Sequence, residues 1–464
     1  MNLACLAMLA VGRNAEEHSM TMPVGTRLAC SLAAVVGLVF TVACFFPGYM
    51  SPDSISQLWQ GRTLSFTDWH PPVMSLLWGL LDRIIPGPAG MLILHNMMFW
   101  GGLSLFVYHL GFERAWAAAA ILLLGLSPPV FGTLSAIWKD VSMGCSLLLG
   151  CGLLLRAERE QSRIAWTMAV VSLWYGLAVR HNAIVAVVPL AVLAAFVSRR
   201  LFCADRSNSW LSLGLRASLL VILLVAASSG ANRLLSRPGS PRPVQQILVH
   251  DLVGVSLETN NEYLPEYLVE ALGSREVSAL RPLYTPNEIV PLFCCDTHRL
   301  PIVSEPAKFS LLWVAWRDTI PRHLGAYIRH RTRVFKSEFT LGRATVCLPF
   351  WNGIDPNSLN VIFHPNALNS WVMDILSRVK DSPLFWGWLY LVLLGIFLGA
   401  FWLGSSPYRL PAVLIGSSGL AYAGAYFFVS TTCDFRMHWW SVLTVFLVAL
   451  LAIANWSKSA RGQA

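Results

Sequence analysis

A few ionisable residues stand where long apolar runs begin or end, and their types could do chemistry together. The first polar loop, PGYMSPDSISQLWQGRTLSFTDWHPPVMSLLW, carries Asp53, Gln57, Asp68, His70 and the rigid pair Pro71–Pro72. Lys139-Asp140 opens one apolar run, and Arg180-His181-Asn182 separates two others. Asp434, Arg436 and His438 precede the last run. Ionisable groups at membrane depth are costly, so they face a cavity, pair with one another, or take part in chemistry. Arg180 and Lys139 suit a phosphate or diphosphate, arginine offering a fixed bidentate grip. A carboxylate beside them could take the proton of an acceptor hydroxyl. Asp53, on its Ser-Pro-Asp-Ser turn, is the expected base, with His70 orienting it or touching phosphate. Asp53 and Asp140 could also bracket a divalent cation such as Mg or Mn, although nothing in their spacing demands one.

Each residue also has a plainer reading. Asp53 could cap a helix starting at Ser54, and His70–Pro72 could be a turn that restarts a helix. Lys139–Asp140 could be an interfacial ion pair. Arg180 could reach to lipid headgroups, and Asp434 and Arg436 could simply belong to a short loop. Trp138, Trp439 and Trp440 read as an aromatic belt at the membrane interface. It is the joint placement of the polar sets on one face that favours a shared site.

That placement depends on the elements carrying them. Apolar residues make up 55% of the 464-residue chain and charged residues 13%, about half the charged share of a soluble protein. Runs long enough to cross a bilayer recur at about 27–46, 90–110, 115–134, 138–155, 164–179, 183–197, 210–231, 384–403, 411–429 and 438–453. The apolar stretch 73–85 is short and contains Asp82, which favours a re-entrant or interfacial helix. Ten crossings put Arg27, Arg114, Arg156, Arg159, Arg163, Arg199, Arg200, Arg409 and Lys458 on one side, which the positive-inside rule makes cytoplasmic. The net charge of +9 is then membrane orientation, and no nucleic-acid-binding pattern accompanies it.

The expected division is a cytoplasmic tail over 1–26 (the true start could be Met20 or Met22), an N-terminal membrane module over 27–231 with its outer loop at 47–89, an extracytoplasmic domain over 232–383, a C-terminal membrane module over 384–453, and a second tail over 454–464. The stretch 232–383 holds 14 of the 25 acidic residues, as a domain outside lipid should. The fold class is therefore an all-α polytopic membrane protein of about ten helices with a mixed or mainly α outer domain. There is no CxxC to suggest structural zinc. A disulfide from Cys347 to Cys294 or Cys295 is open in an oxidising compartment.

The loop-one and span-four residues resemble the GT-C membrane glycosyltransferases, which include protein mannosyltransferases, lipid A aminoarabinose transferases and oligosaccharyltransferase catalytic subunits. The similarity is to an uncharacterised bacterial branch, through Ser51–Gln57, His70–Pro71, Lys139–Asp140, Arg180–Asn182, the His250-Asp251-Leu252 stretch and Tyr327–Arg331. The resemblance implies transfer of a sugar from a polyprenyl-phosphate donor to a glycan, lipid or protein hydroxyl, on the outer face of a bacterial cytoplasmic membrane. It makes Asp53 the base and Asp140 the second acidic position. Lys139, Arg180, His181 and Arg436 become phosphate contacts, and Gln57, Asp68, Asn182 and Asp434 pocket walls. The better-studied members often carry Asp-Glu in loop one, whereas here Asp53 is followed by Ser54. Other readings are a transporter or flippase of an anionic or lipid-linked substrate, a polysaccharide polymerase or ligase, and a non-enzymatic membrane assembly protein.

Overall fold

The computed structural model describes residues 24–202, 210–293, 300–342 and 347–460. They form helices joined by loops, with two isolated bridges and no β-sheet among the described residues. The N-terminal membrane part runs through α1 (Val24–Phe45), α2 (Pro52–Thr63), α3 (Pro72–Asp82), α4 (Ala89–Leu110), α5 (Arg114–Gly125), α6 (Pro128–Leu134), α7 (Lys139–Arg159), α8 (Arg163–Ala178), α9 (Ile184–Phe202) and α10 (Trp210–Leu235). Then come α11 (Val244–Thr259), α12 (Glu266–Leu272), α13 (Val290–Phe293), α14 (Pro306–Arg322), α15 (Leu324–Glu338) and α16 (Ala367–Val379). The chain returns through α17 (Gly387–Leu403), α18 (Arg409–Val429) and α19 (Trp439–Ala460).

Seven helical stretches are long and apolar enough to cross a membrane, or eight if the bent pair α5–α6 is one span. The chain is thus a helical polytopic membrane protein. Helices occupy all ten expected places, but three fall short of a simple crossing. The expected span 115–134 breaks at Ser127 and bends by 64°. Pro128 and Pro129 follow Ser127, and proline lacks the N–H that a continuing helix would need. Helices α8 and α17 have 16 and 17 residues, below the roughly 20 that span hydrocarbon upright. The short stretch expected at 73–85 is the 11-residue α3.

Lipid-facing surfaces are legible in stripes. On α1, Leu32, Val35, Val36 and Val39 are each more than half exposed, at i, i+3, i+4 and i+7. On α10, Leu211, Leu215, Leu219, Ile222 and Leu223 repeat the pattern. Exposed stripes of this kind have no protein partner and require an apolar solvent. By contrast α7 is buried along most of its length, packed between α4 and α8.

Outside the spans, Leu248, Leu252, Leu268, Leu280, Leu292 and Leu312 build a separate apolar core, with α11 packed on α14 and α15. This portion outside the spans is helical among the described residues, the mainly α of the two expected alternatives. Helix α15 in turn reaches α18. Cys347 is bonded to Cys433, which settles the pairing that the sequence left open between Cys294 and Cys295. The fold carries Cys433, which precedes the last span, across 86 residues of sequence to its partner. Cys294 and Cys295 lie outside the described residues, as does most of the expected tail 1–26.

Candidate functional site

Two short extended segments set the geometry. The Tyr49 N–H donates to the Ser135 carbonyl at 2.9 Å, and the Ile137 N–H donates back to Tyr49 at 2.9 Å. Met50 makes the same kind of exchange with Gly353 and Asp355, both at 3.0 Å. The strand-like Tyr49–Met50 is therefore clamped on both sides, and α2 must start beside the start of α7. Ser54 reinforces this by donating to the Ile137 carbonyl at 2.7 Å. Helix α2 then lies backbone to backbone on α3. A Cβ on Gly61 would stand 2.4 Å from the Ser75 carbonyl oxygen, a contact only glycine permits. This crossing brings the loop carrying His70 back over α2.

Helix α2 begins at Pro52, two residues earlier than a cap at Asp53 would require. Ser51 is the N-cap residue, and its N–H donates to the Ser54 hydroxyl at 3.3 Å. Asp53 does not cap. Its Oδ2 accepts from Arg436 Nη2 at 3.0 Å, and its Oδ1 is 3.9 Å from His70 Nε2. Its side chain stays about one-third exposed (34%), so the carboxylate remains reachable. Burial pushes its proton affinity up, but Arg436 foremost, with Lys139 behind, outweighs this and holds it below the usual carboxylate range.

His70 Nδ1 lies 3.2 Å from Lys139 Nζ. An ammonium can only donate, so Nδ1 accepts and the ring proton sits on Nε2, toward Asp53. Burial, then the Lys139 charge, push the imidazole down to about 3, which leaves it neutral near pH 7. The expected turn at His70–Pro72 is present, yet the His70 ring is buried inside the cluster rather than on a surface loop.

Lys139 and Asp140 form the first turn of α7. They are not an ion pair with each other. Asp140 is paired with Arg180 Nη1 at 2.5 Å, and Arg180 Nη2 donates to the Tyr426 hydroxyl at 2.7 Å. Arg180 is 7% exposed, so it does not reach out to headgroups. Arg436 meets Asp434 through Nε at 2.6 Å and lies over the Trp138 ring, 4.4 Å from its centroid. Burial pushes Asp434 up to about 6 in spite of Arg436. His181 and Asp68 form a more exposed lip, with His181 Nε2 3.2 Å from the Asp68 carbonyl oxygen. Asn182 hydrogen-bonds Tyr426.

Ten of the eleven expected site residues therefore fall into three contact groups: Lys139–His70–Asp53–Arg436–Asp434, Asp140–Arg180 with Asn182 through Tyr426, and His181–Asp68. The first two are joined in sequence at Lys139–Asp140 and the last two at Arg180–His181–Asn182. The eleventh, Gln57, is fully buried one turn below Asp53, and neither its amide nitrogen nor its oxygen has a partner. Arg180 Nε, Arg436 Nη1 and Asp140 Oδ2 are likewise buried with no partner of their own. Buried polar atoms are normally satisfied, so these unpartnered atoms make the cluster a candidate place for a polar ligand or water.

The residues do not fit the divalent cation that Asp53 and Asp140 could have bracketed. Asp53 and Asp140 are each engaged by an arginine, and no group of three or more metal-ligating side chains gathers among the described residues. Two carboxylates already neutralised by guanidinium groups lack the free negative charge that a hard cation selects.

Several participants escape sequence reasoning. Trp138, Trp439 and Trp440 are fully buried, so they form no interfacial belt. Trp138 instead stacks on Arg436 and donates Nε1–H to Ser51 Oγ at 2.9 Å. Tyr422 and Tyr426, one turn apart on α18, have hydroxyls 3.0 Å from each other behind Arg180. Their i, i+4 spacing near the end of an apolar run was the available signal. Glu338, at the end of α15, accepts from the Ser430 hydroxyl at 3.2 Å and lies 3.5 Å from His438 Nδ1. Burial pushes Glu338 up to about 8 despite the Ser430 hydroxyl and the Asp434 N–H. Comparison of the chain with protein-family models, with curated proteins and with solved structures gives no match.

Proposed function

We propose that this chain is a GT-C-like membrane glycosyltransferase that moves a sugar from a polyprenyl-phosphate donor to a hydroxyl acceptor at the outer face of a bacterial cytoplasmic membrane. The observation that carries the reading is that Arg436, His70 and Lys139 gather at a one-third-exposed Asp53 while Arg180 holds the neighbouring Asp140, with buried guanidinium nitrogens left without a partner. Fixed, dehydrated donors of this kind suit a leaving group that gains negative charge. Helices α8 and α17 cross where the bilayer thins locally in this reading, which restores ten crossings. The Cys347–Cys433 bond fits an oxidising compartment on the side that carries the site.

In the proposed reaction the acceptor oxygen attacks the anomeric carbon while the bond from that carbon to the phosphate oxygen breaks. The acceptor proton passes to Asp53, and the electron pair leaves on the phosphate, toward Arg180, Arg436 and Lys139. A single displacement inverts the anomeric centre. Arg436 makes Asp53 a weak base in the resting site. A donor phosphate that draws Arg436 away would raise the proton affinity of Asp53 when the reaction needs it. Transport requires a polar path through the bilayer, whereas this ionisable cluster gathers at helix ends.

The test is to incubate purified protein with polyprenyl-phosphate hexoses and measure released polyprenyl phosphate. Release by wild type and its loss in Asp53→Asn support the reading. Equal release by both removes Asp53 as the base.

A further inference from the structure

A second concavity lies along the same helix. Residues Ile55, Ser56 and Trp59 of α2 face Asp355 and Ser358 across a cavity of about 400 Å³, within the roughly 300–1,000 Å³ usual for small-molecule sites. Both walls are fixed. The Asp355 N–H is bonded to the Met50 carbonyl at 3.0 Å. Asn357 ties the turn to itself: its Nδ2 donates to the carbonyls of Asp355 and Val361 at 2.9 and 2.8 Å, and its Oδ1 accepts the Leu359 N–H at 3.0 Å. Arg62, at the far end of α2, donates to the Leu359 carbonyl at 3.3 Å. The groove is therefore shaped before any ligand arrives.

Its lining has a definite chemistry. Trp59 is 45% exposed and offers an aromatic face. Among the described residues the Asp355 carboxylate has no side-chain partner and, with the Ser56 and Ser358 hydroxyls, offers acceptors to a ligand rich in O–H donors. Arg and Lys are absent from the lining, so nothing there favours an anion. Ser56 lies three residues after Asp53, hence one helical turn and about 5–6 Å away on a shared face.

We propose that this groove is the acceptor subsite and that it takes a neutral, hydroxyl-rich saccharide, stacked on Trp59 and hydrogen-bonded to Asp355. The proposal rests on the glycosyltransferase reading of Asp53. An acceptor seated here presents one hydroxyl along α2 toward the Asp53 carboxylate, while the donor phosphate lies on the other side, against Arg180.

The experiment is saturation-transfer NMR on the full chain in a sugar-free detergent, with maltotriose, chitotriose and N-acetyllactosamine as probes. Binding of a short polyprenyl phosphate is measured on the same preparations. Wild type should saturate at least one saccharide. Trp59→Ala and Asp355→Asn should each weaken it roughly tenfold or more, while Trp59→Phe, which keeps an aromatic face, restores it. Arg180→Ala should keep the saccharide and lose the lipid phosphate. The inference is overturned if no probe saturates, or if Trp59→Ala and Asp355→Asn bind as wild type does. Saccharide binding without lipid-phosphate binding in wild type overturns the donor reading, and the acceptor role with it.

Discussion

Arg436 and Asp53 meet at 3.0 Å although 383 positions separate them in the chain. The contact ties the loop before the last span to the segment after the first and lowers the proton affinity of Asp53. Removing the guanidinium should therefore raise the Asp53 pKa. In Arg436→Met the acidic limb of the pH–rate profile moves to higher pH, because a carboxylate that was ionised in wild type now protonates earlier as pH falls. A limb that stays in place, with only the rate lowered, would mean that Arg436 does not tune Asp53.

Tyr426 hydrogen-bonds Arg180, so in the proposed reaction it acts by aiming the guanidinium. Tyr426→Phe removes the hydroxyl that Arg180, Tyr422 and Asn182 share; loss of the Arg180 bond alone, worth roughly 0.5–1.5 kcal/mol, should weaken lipid-phosphate binding by about 2- to 13-fold. Arg180→Lys should do worse, since one ammonium cannot span Asp140 and Tyr426 as the fork does. Titration of the three proteins with a short polyprenyl phosphate ranks them directly.

Glu338 supplies a pH dependence of stability. Its folded-state pKa, raised to about 8 from 4.5, favours the folded form fully below about pH 4.5. That contribution is lost as pH rises through 8. Thermal unfolding in detergent should show a midpoint that falls between pH 6 and pH 9 for wild type. The slope should flatten in Glu338→Gln, which keeps the shape and removes the charge. Parallel slopes would show that Glu338 is not the titrating group.

The outer helices carry a fully buried ion pair. Asp251 Oδ1 is 2.6 Å from Arg331 Nε and 3.2 Å from His330 Nε2, while Trp316 Nε1–H donates to Asp251 Oδ2 at 2.8 Å. Arg331 also donates to the Ser430 carbonyl at 2.7 Å, which fastens α15 to the loop leading to Asp434. Arg331→Met leaves Asp251 buried beside a lost cation and should cost about 3–5 kcal/mol of stability. A change below about 1 kcal/mol in denaturant unfolding would mean that this cluster does not hold the outer helices to the membrane part.

Much of the site was legible because charge in an apolar context is expensive, and each of Asp53, Lys139, Asp140, Arg180 and Arg436 stands beside a long apolar run. Their pairing was not legible. Lys139 and Asp140 are sequence neighbours, yet consecutive residues on a helix point about 100° apart, so Asp140 turns to Arg180 and Lys139 to His70. Trp138 reads the same from sequence whether it meets lipid or a guanidinium. Glu338 hides in the amphipathic α15, where a glutamate draws no notice until tertiary packing buries it. The apolar runs located the helices well, but the Pro128–Pro129 bend and the short α8 and α17 show that run length alone does not count crossings. Cys433 was the disulfide partner that only the folded arrangement could select.

The most direct measurement is binding of a short-chain polyprenyl phosphate to the purified protein, with wild type beside Asp53→Asn and Arg180→Ala. Saturable binding by wild type, near-normal binding by Asp53→Asn, and a loss of roughly tenfold or more in Arg180→Ala are the expected results. No saturable binding by wild type, or equal binding by wild type and Arg180→Ala, would contradict a lipid-phosphate chamber built on Arg180.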